Sequence, residues 1–258
     1  MDTRQQVCIN NLPLGPGVKF LGSNSHGLIA LEKPTGVMAH PNRNGDQGRC
    51  LLVADYNYKD EVYTWSTANL VRRAWLLNRL DSPTSGVLLL ALDEGMVSVV
   101  HQSFAVHKVR KTYYALVKDW PSPDSGCWKD VLKRDAYRTA KVAKFESGGF
   151  AQTHYQVMSK PNGNIPISLI KLMPVTGRTH QLRIQCSQHR HPIVGDRTHG
   201  DFKFNRRISS LSGEKRMMLH SSELDFGYRI RGKEYRFNAR SELPEAFTKL
   251  LESNRQMQ

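Results

Sequence analysis

Cysteine is scarce in this sequence. The four cysteines, Cys8, Cys50, Cys127 and Cys186, lie far apart and form no C-x-x-C pair. Zinc knuckles and dithiol redox motifs need closely paired cysteines, so the sequence contains neither motif. We expect reduced thiols with mainly structural roles.

Long hydrophobic runs are also missing. No apolar stretch approaches the roughly 20 residues that a membrane-spanning helix needs. The N-terminal segment MDTRQQVCINN has neither the basic start nor the apolar stretch of a signal peptide. Hydrophobic residues make up 39% of the chain and charged residues 23%, a balance typical of soluble globular proteins. These features predict a cytoplasmic protein without a membrane partner.

Acidic residues are too few to balance the basic ones. The chain has 23 Asp and Glu against 37 Lys and Arg, which gives a formal net charge of +14. An excess of this kind favours a polyanionic partner, because each phosphate that a cation neutralises releases condensed counterions. A solvated basic surface that aids solubility is the alternative. An anionic membrane surface is less favoured, since no basic amphipathic helix with aromatic residues on its apolar face stands out.

Short apolar runs separated by turn residues predict several strands. Residues 1–25 lack periodicity and are interpreted as an N-terminal arm, and residues 26–258 as one domain. LIALEK and the continuous run VLLLAL are typical of buried strands, because polar alternation is absent. Further strand candidates are TYYALVKD, RTAKVAKFE, AQTHYQVMSK, ISLIKLMPV, RMMLHSSELDF and KEYRFNAR.

Helices are predicted between these strands. Apolar spacing indicates a surface helix from Asp93 to about Lys108, and another short helix should follow Pro244. The segment TGRTHQLRIQCSQHRH is interpreted as a helix capped by Thr176 or Thr179. Strands therefore dominate, with helices interspersed. The expected fold is α+β, with a mixed, mainly antiparallel central sheet flanked by helices.

Two stretches are harder to interpret. The pattern from Cys50 to Asn69 is helix-like at first and then ambiguous. The basic stretch from Arg197 to Arg216 has loop composition, and it is interpreted either as a phosphate-contacting loop or as a merely solvated one.

Three segments contain the residues that could carry chemistry. Arg79-Leu80-Asp81 precedes a Pro-Gly-punctuated turn, Lys111-Thr112-Tyr113 opens a strand candidate, and the segment from Thr176 to Arg183 opens a helix candidate. Taken singly, each has an ordinary structural explanation: a turn-forming Asp, a strand aromatic and salt-bridging arginines. Their combination and order carry the functional hypothesis.

In this order and at these separations, the segments resemble the RluA family of pseudouridine synthases. NRLDSPTSGVLLLAL is similar to the family's catalytic segment, KTYYALV to its tyrosine segment, and TGRTHQLRIQCSQHRHPIVGD to its arginine segment. EKPTGVMAHP and LHSSELDF are two further matches, and together the five motifs run from about Leu28 to Phe237. Five ordered motifs are far more specific than any one of them.

The resemblance implies a single pseudouridine-synthase-like catalytic domain that detaches uracil from its ribose, turns it and rejoins it through carbon, with no metal and no cofactor. Asp81 matches the family nucleophile, and a carboxylate suits this role because it can form a covalent intermediate with an electrophilic carbon. Arg183 matches the arginine that pairs with this Asp and keeps it ionised. Tyr113 matches the tyrosine that stacks on the target base and is a candidate for proton abstraction.

Other residues of the matched segments would contact substrate. Arg79 matches an arginine that can fill the space left by a flipped nucleotide, and Arg178 and His180 are expected to bind RNA. The family commonly has His before Arg-Leu-Asp, where this chain has Asn78, which weakens any role that needs an imidazole there. Lys33 and His40 match the first motif, but a Lys at a strand end and a His in a loop are expected to be structural or surface residues rather than catalytic ones.

A metal site is not expected, although His180, His189 and His191 lie close together. His180 and His191 belong to the arginine segment, and no Cys or carboxylate completes a convincing ligand set.

The substrate implied is ribosomal RNA, transfer RNA or both. About two dozen residues precede the first predicted strand, too few for a separate RNA-binding domain, which needs at least about 50. The catalytic domain, expected to be a monomer without an obligate protein partner, must therefore hold the RNA itself.

Two other functions compete with this hypothesis. A non-catalytic RNA-binding or ribosome-assembly protein could keep the fold after losing activity, but then at least one of Asp81, Tyr113 and Arg183 would be expected to have changed. A carboxylate-dependent hydrolase of nucleosides or glycosides could form a similar adduct and release it to water. It usually needs a second carboxylate, and none lies near Asp81 in a motif-like setting.

Overall fold

The computed structural model describes residues 11–105, 109–132, 149–160 and 163–256. The strands within these residues are β1 (Lys19–Ser23), β2 (Leu28–Lys33), β3 (Asp55–Asn57), β4 (Val62–Thr67), β5 (Leu70–Leu76), β6 (Ser85–Ala91), β7 (Arg110–Lys118), β8 (Ser125–Leu132), β9 (Gly149–Ser159), β10 (Ile167–Pro174), β11 (Leu219–Ile230) and β12 (Lys233–Arg240). The α-helices are α1 (Gly95–Ala105), α2 (Gln181–Gln188), α3 (Phe202–Ser212) and α4 (Glu245–Gln256).

Contacts between residues divide the chain into two compact units. The first comprises Met1–Lys111 and Leu219–Leu243, and the second comprises Thr112–Met218 and Pro244–Gln258. The chain therefore enters each unit twice.

In the first unit, β2 and β6 form the centre of the strand arrangement. β2 pairs with β1 and β6, while β3, β4 and β5 form an antiparallel meander that joins β6 through β5. β11 pairs with β12 in antiparallel fashion and with β6 in parallel fashion. The parallel pair among antiparallel ones gives the mixed, mainly antiparallel sheet that the sequence predicted, and the α+β fold class is confirmed.

The continuous apolar run of β6 is explained by burial on both faces. Every residue of β6 is buried, as are five of the six residues of β2. Val87 and Leu89 belong to one apolar cluster, which also contains Val100 of α1, whereas Leu88 and Leu90 belong to a second cluster. Successive side chains of a strand point to opposite faces, so a strand between two cores has no polar alternation. The prediction of a doubly buried strand is confirmed.

The helix-like interpretation of residues 50–69 is wrong. β3 and β4 lie there, and β4 pairs with β5 from Val62↔Trp75 to Thr67↔Leu70. The β4 sequence VYTWST is rich in β-branched and aromatic residues, which favour a pleated, half-buried surface. A short β1 also lies within the residues interpreted as an arm, where it pairs with β2.

The second unit contains an antiparallel sheet with the order β7-β10-β9-β8. The strands predicted at β7, β9 and β10 are confirmed, as are those at β11 and β12 of the first unit, whereas β8 was not predicted. The strand candidate RTAKVAKFE lies outside the described residues. The helix predicted after Pro244 is α4, and its buried Asn254 side chain bonds the backbone N–H and carbonyl of Ile165 at 2.9 and 2.8 Å.

The loop interpretation of the basic stretch is wrong, because α3 occupies its centre. Asp201 caps the helix by accepting the Phe204 N–H at 2.9 Å, and Gly213 ends it in the left-handed region at φ 74°. Phe204 and Ile208 form its buried side, at the i, i+4 spacing of an amphipathic helix. High charge density hid this periodicity from the composition-based interpretation.

Candidate active site

Asp81 lies in a tight turn that leads into β6. The Thr84 N–H donates to the Asp81 carbonyl at 2.9 Å, which closes the turn. The Thr35 hydroxyl donates to the Pro83 carbonyl at 2.8 Å and ties the same turn to the segment after β2. The backbone that carries the carboxylate is therefore held by a hydrogen bond within the turn and by another to the segment after β2. The predicted turn is confirmed.

The buried side chain of Lys33 binds the backbone of this turn. Its side chain is fully buried, and its ammonium donates to the carbonyls of Pro34, Val37 and Ser82 at 3.0, 2.7 and 3.0 Å. The Ser82 carbonyl also accepts the Gly36 N–H at 2.8 Å. The structural role expected for Lys33 is therefore correct, and it is also a positioning role, because the residue fixes the backbone next to Asp81.

We predict that Lys33→Met lowers the free energy of unfolding by about 2–3 kcal/mol, because Met fills a similar volume but leaves buried carbonyls without their donor. Any activity that depends on the Asp81 carboxylate should also fall as the Asp81 turn loosens. A urea titration of the variant measures the first effect. Lys59→Met, at an exposed position, is the matched control and should change stability by less than about 0.5 kcal/mol. Equal unfolding curves for the two variants would show that the Lys33 ammonium does not stabilise the turn.

Asn78 has a structural partner. Its side-chain oxygen accepts the Leu89 N–H at 2.7 Å, and the neighbouring Leu77 N–H donates to the Leu89 carbonyl at 3.0 Å. The segment before Asp81 is thus attached to the middle of β6. Arg79 is largely exposed and its guanidinium lies 3.5 Å from a Glu61 carboxylate oxygen, a surface ion pair of small energetic value. An exposed, weakly paired arginine can move towards RNA.

Tyr113 lies near the start of β7, opposite Leu172 of β10, and is partly buried. Two residues earlier, Lys111 is also partly buried, and burial lowers the pKa of its ammonium to about 8. A lysine in this range holds its proton less firmly than an exposed one. The strand position predicted for Tyr113 is confirmed.

Arg183 is buried in α2 and bound by a carboxylate that the sequence analysis did not single out. Its Nε and Nη2 donate to the two carboxylate oxygens of Asp196 at 2.7 and 2.8 Å, and the two side chains are 5% and 1% exposed. Asp196 also accepts the backbone N–H groups of Thr198 and His199 at 2.8 and 3.0 Å. Burial raises the pKa of Asp196, but the Arg183 and backbone hydrogen bonds outweigh it, and the pKa lies below its ordinary value.

Polar side chains, rather than Thr caps, hold the start of α2. The helix begins after His180, whose backbone is left-handed and whose side chain makes no cap, so the predicted capping by Thr176 or Thr179 is wrong. The Thr176 hydroxyl instead donates to Gln181 Oε1 at 2.7 Å. Farther along the helix, Gln185 Nε2 donates to Asp130 at 2.7 Å. Buried polar groups need such partners, and these ones fix the helix against β8 and β9.

The remaining two predicted site residues lie beside the start of α2. The Arg178 side chain is exposed and its Nε donates to the Phe150 carbonyl at 3.2 Å. His180 Nδ1 lies 3.1 Å from His199 Nε2, a hydrogen bond in which one ring nitrogen is protonated and the other is not. Exposed or half-buried donors of this kind suit contacts to RNA.

The predicted site residues thus fall into two groups. Arg79 and Asp81 belong to the first unit, and the second unit contains the other four, of which Arg178, His180 and Arg183 share one segment. Sequence reasoning missed Asp196, although it ends the matched arginine segment. Across the described residues, no group of three or more His, Cys, Asp or Glu side chains is arranged to hold a metal ion. In the same part of the chain, every helix is too short or too polar to cross a membrane.

Comparison with known proteins is consistent with these motifs. The family model for RNA pseudouridylate synthase matches residues 27–188. The chain is 33% identical to a protein named tRNA pseudouridine synthase C from Pectobacterium carotovorum subsp. carotovorum, over 84% of this chain and 57% of that protein. It is 30% identical to the protein of the same name from Yersinia pestis, over 84% of each chain. For the Vibrio cholerae protein, the identity is 35% over 77% of this chain and 81% of the other.

Solved structures agree in fold. Human RNA pseudouridylate synthase domain containing 4 superposes with a TM-score of 0.64 at 24% identity, covering 98% of this chain and 97% of that one. Human RNA pseudouridylate synthase domain containing 1 gives a TM-score of 0.61 at 20% identity, covering 92% and 97%. The chain belongs to the RNA pseudouridylate synthase family, a family of isomerases, and the family predicted from its motifs is confirmed.

Proposed function

We propose that this chain converts uridine to pseudouridine in transfer RNA, with Asp81 as the nucleophile. The observation that supports this proposal most strongly is the hydrogen-bonded turn at Asp81, which fixes the backbone of this aspartate at the entrance of a doubly buried strand. Nucleophilic catalysis needs an oriented group on a rigid element. The three relatives described above are named for transfer RNA, which favours it over ribosomal RNA. The chain spans only 57% of the Pectobacterium protein, so further substrates of that protein do not carry over.

In the proposed reaction, the Asp81 carboxylate forms a covalent adduct and the N1–C1′ bond of uridine breaks. The uracil turns, a C5–C1′ bond forms, and the bond between Asp81 and the substrate breaks, which restores the carboxylate. C5 loses a proton and N1 gains one, so the atoms balance without any co-reactant. Tyr113 stacks on the base, and Arg79 fills the space that the flipped nucleotide leaves. Arg178 and His180 bind the RNA around the target.

Arg183 is proposed to keep Asp81 ionised, and Asp196 to orient Arg183. A guanidinium has five N–H donors, more than one carboxylate uses, so a single arginine can bind two carboxylates. The bidentate contact with Asp196 fixes the plane of the guanidinium. Fixing this plane beforehand removes the entropy cost of orienting a long side chain during the reaction.

The experiment that tests the function uses the purified chain and unmodified transfer RNA transcripts. We expect RNA of unchanged mass that contains pseudouridine, detected by pseudouridine-specific chemical labelling. Loss of a base would identify a hydrolase, and bound but unaltered RNA would identify a non-catalytic protein. Ribosomal RNA fragments in parallel test the alternative substrate. Activity of the purified monomer would agree with the proposal that no protein partner is needed.

A further inference from the structure

Helix α3 presents a basic face to solvent. Lys203, Arg206 and Arg207 are exposed, at the spacing of neighbours on one helix face, whereas Phe204 and Ile208 are buried on the other side. The helix is therefore attached by its apolar side, and its charges point away from the core. The segment from 197 to 216 contains six Lys and Arg residues against two acidic residues.

These cations do not stabilise the helix that carries them. Lys203 and Arg207 stand at i, i+4, where like charges repel. All three cations lie in the first six residues of α3, near the positive end of the helix dipole, and the last turn has no basic residue. Cations placed for helix stability would lie at the other end. Their position needs another explanation, and an anionic ligand supplies one.

The two acidic residues of the segment are engaged elsewhere. Asp201 accepts the Phe204 N–H at 2.9 Å and lies 3.0 Å from the Lys118 ammonium. Glu214 accepts the Lys215 N–H at 2.8 Å at the end of the segment. Within the described ranges, no carboxylate forms an ion pair with the three exposed cations of α3.

The helix is also held firmly beside the arginine segment. The Gly195 N–H donates to the Asn205 side-chain oxygen at 2.9 Å, and the Asn205 side-chain N–H donates to the Asp196 carbonyl at 2.9 Å. Asp196 is the residue that binds Arg183. The basic face is therefore built on the same backbone that positions Arg183, so a ligand bound to α3 has a fixed place relative to that arginine.

We propose that the exposed face of α3, formed by Lys203, Arg206 and Arg207, binds the sugar-phosphate backbone of the RNA substrate. The inference rests on the proposed function and adds a contact surface outside the matched motifs. A polyphosphate backbone fits because spaced cations on one helix face can neutralise successive phosphates. A membrane surface fits less well, because a membrane-binding helix inserts its apolar face into lipid. Here that face is buried in the protein, and the exposed Phe202 and Leu211 lie on opposite sides of the helix.

The test compares two triple variants that lose the same charge. Lys203→Gln/Arg206→Gln/Arg207→Gln removes the α3 face, and Arg229→Gln/Arg231→Gln/Lys233→Gln removes three exposed cations around the β11–β12 turn. Fluorescence anisotropy with a labelled transfer RNA transcript measures Kd from low to high salt. We expect the α3 variant to raise Kd at least tenfold and to reduce the slope of log K against log salt by about 2 to 3, since each phosphate contact contributes about 0.7–0.9. The control variant should change Kd less than threefold.

Further measurements separate a binding role from a structural one. The Tm of the α3 variant should be unchanged or higher, because the substitutions relieve repulsion, and its single-turnover rate at saturating RNA should stay within about threefold of wild type, because phosphate contacts position RNA without doing chemistry. A Kd and salt slope equal to those of the control would overturn the proposal. The proposal would also be overturned if the α3 variant no longer bound anionic phosphatidylglycerol vesicles but bound RNA as wild type does.

The two proposals fail in different ways. If wild-type protein makes no pseudouridine but the α3 variant alone loses RNA affinity, the proposed function fails and the α3 surface stands. If wild-type protein makes pseudouridine and both triple variants bind alike, the function stands and the surface fails.

Discussion

Replacing Asp81 by Asn should abolish pseudouridine formation, with a loss of at least about 10⁴-fold in single-turnover rate, because an amide cannot act as the nucleophile. The fold should be retained. The hydrogen bond that closes the turn uses the Asp81 backbone carbonyl, and Lys33 binds the neighbouring Ser82 carbonyl, so neither depends on the carboxylate. RNA affinity should stay within about tenfold of wild type, since phosphate contacts provide most of it.

The matched control is Asp55→Asn, which changes an exposed aspartate of β3 in the same unit. This variant should retain wild-type rate and affinity. Rates are measured by pseudouridine labelling at saturating enzyme, and affinities by anisotropy on the same transcript. Product formed by Asp81→Asn at a rate near that of the control would disprove the nucleophile assignment.

Arg183→Lys is expected to lower turnover by about 100-fold or more although the positive charge is kept, an effect in the range for loss of one oriented, charge-stabilising donor group. A single ammonium on a flexible stem cannot reproduce the planar fork that binds Asp196 through two donors. Arg183→Ala would leave Asp196 buried without its partner, which typically costs about 3–5 kcal/mol, so the Lys variant is the more informative of the two.

The pH dependence gives a second readout. The pKa of Asp196 lies below its ordinary value of 3.8, so the stability that this group contributes is fully present above that value and is lost as the pH falls below it. In Arg183→Lys the pKa should rise towards or above the ordinary value, because burial then dominates. Acid unfolding should therefore begin at a higher pH than in wild type.

Asp196→Asn tests whether catalysis depends on the orientation of the Arg183 guanidinium or only on its charge. Asn can still accept the Thr198 and His199 N–H groups, but its amide nitrogen cannot accept from Arg183, so the guanidinium loses one of its two anchors. We expect a smaller loss of turnover than for Arg183→Lys. Acid unfolding in both variants is followed by circular dichroism and single-turnover rates by labelling across the pH range. Wild-type rates and unchanged pH profiles in both variants would remove Arg183 and Asp196 from the catalytic mechanism.

Features that depend on neighbouring residues could be predicted from the sequence. The run VLLLAL predicts a doubly buried strand because polar alternation is absent, and Pro83 and Gly86 predict the turn that carries Asp81. Ordered motifs predicted the family, because the spacing of several short segments is visible without coordinates. A helix was missed in α3 because its apolar pair, Phe204 and Ile208, is outnumbered by charges.

The groups that hold the candidate catalytic residues could be identified only from the folded structure. Lys33 reaches the Ser82 carbonyl across 49 positions of sequence, and Arg183 reaches Asp196 across 13. Such pairs leave no periodic signal, because each depends on how separate elements pack. A Lys at the end of a strand and an Asp in a loop are normally solvated, and burial alone makes their partners obligatory. The chemistry of this protein can thus be proposed from its motifs, whereas the rigidity that the chemistry requires arises from contacts between distant segments.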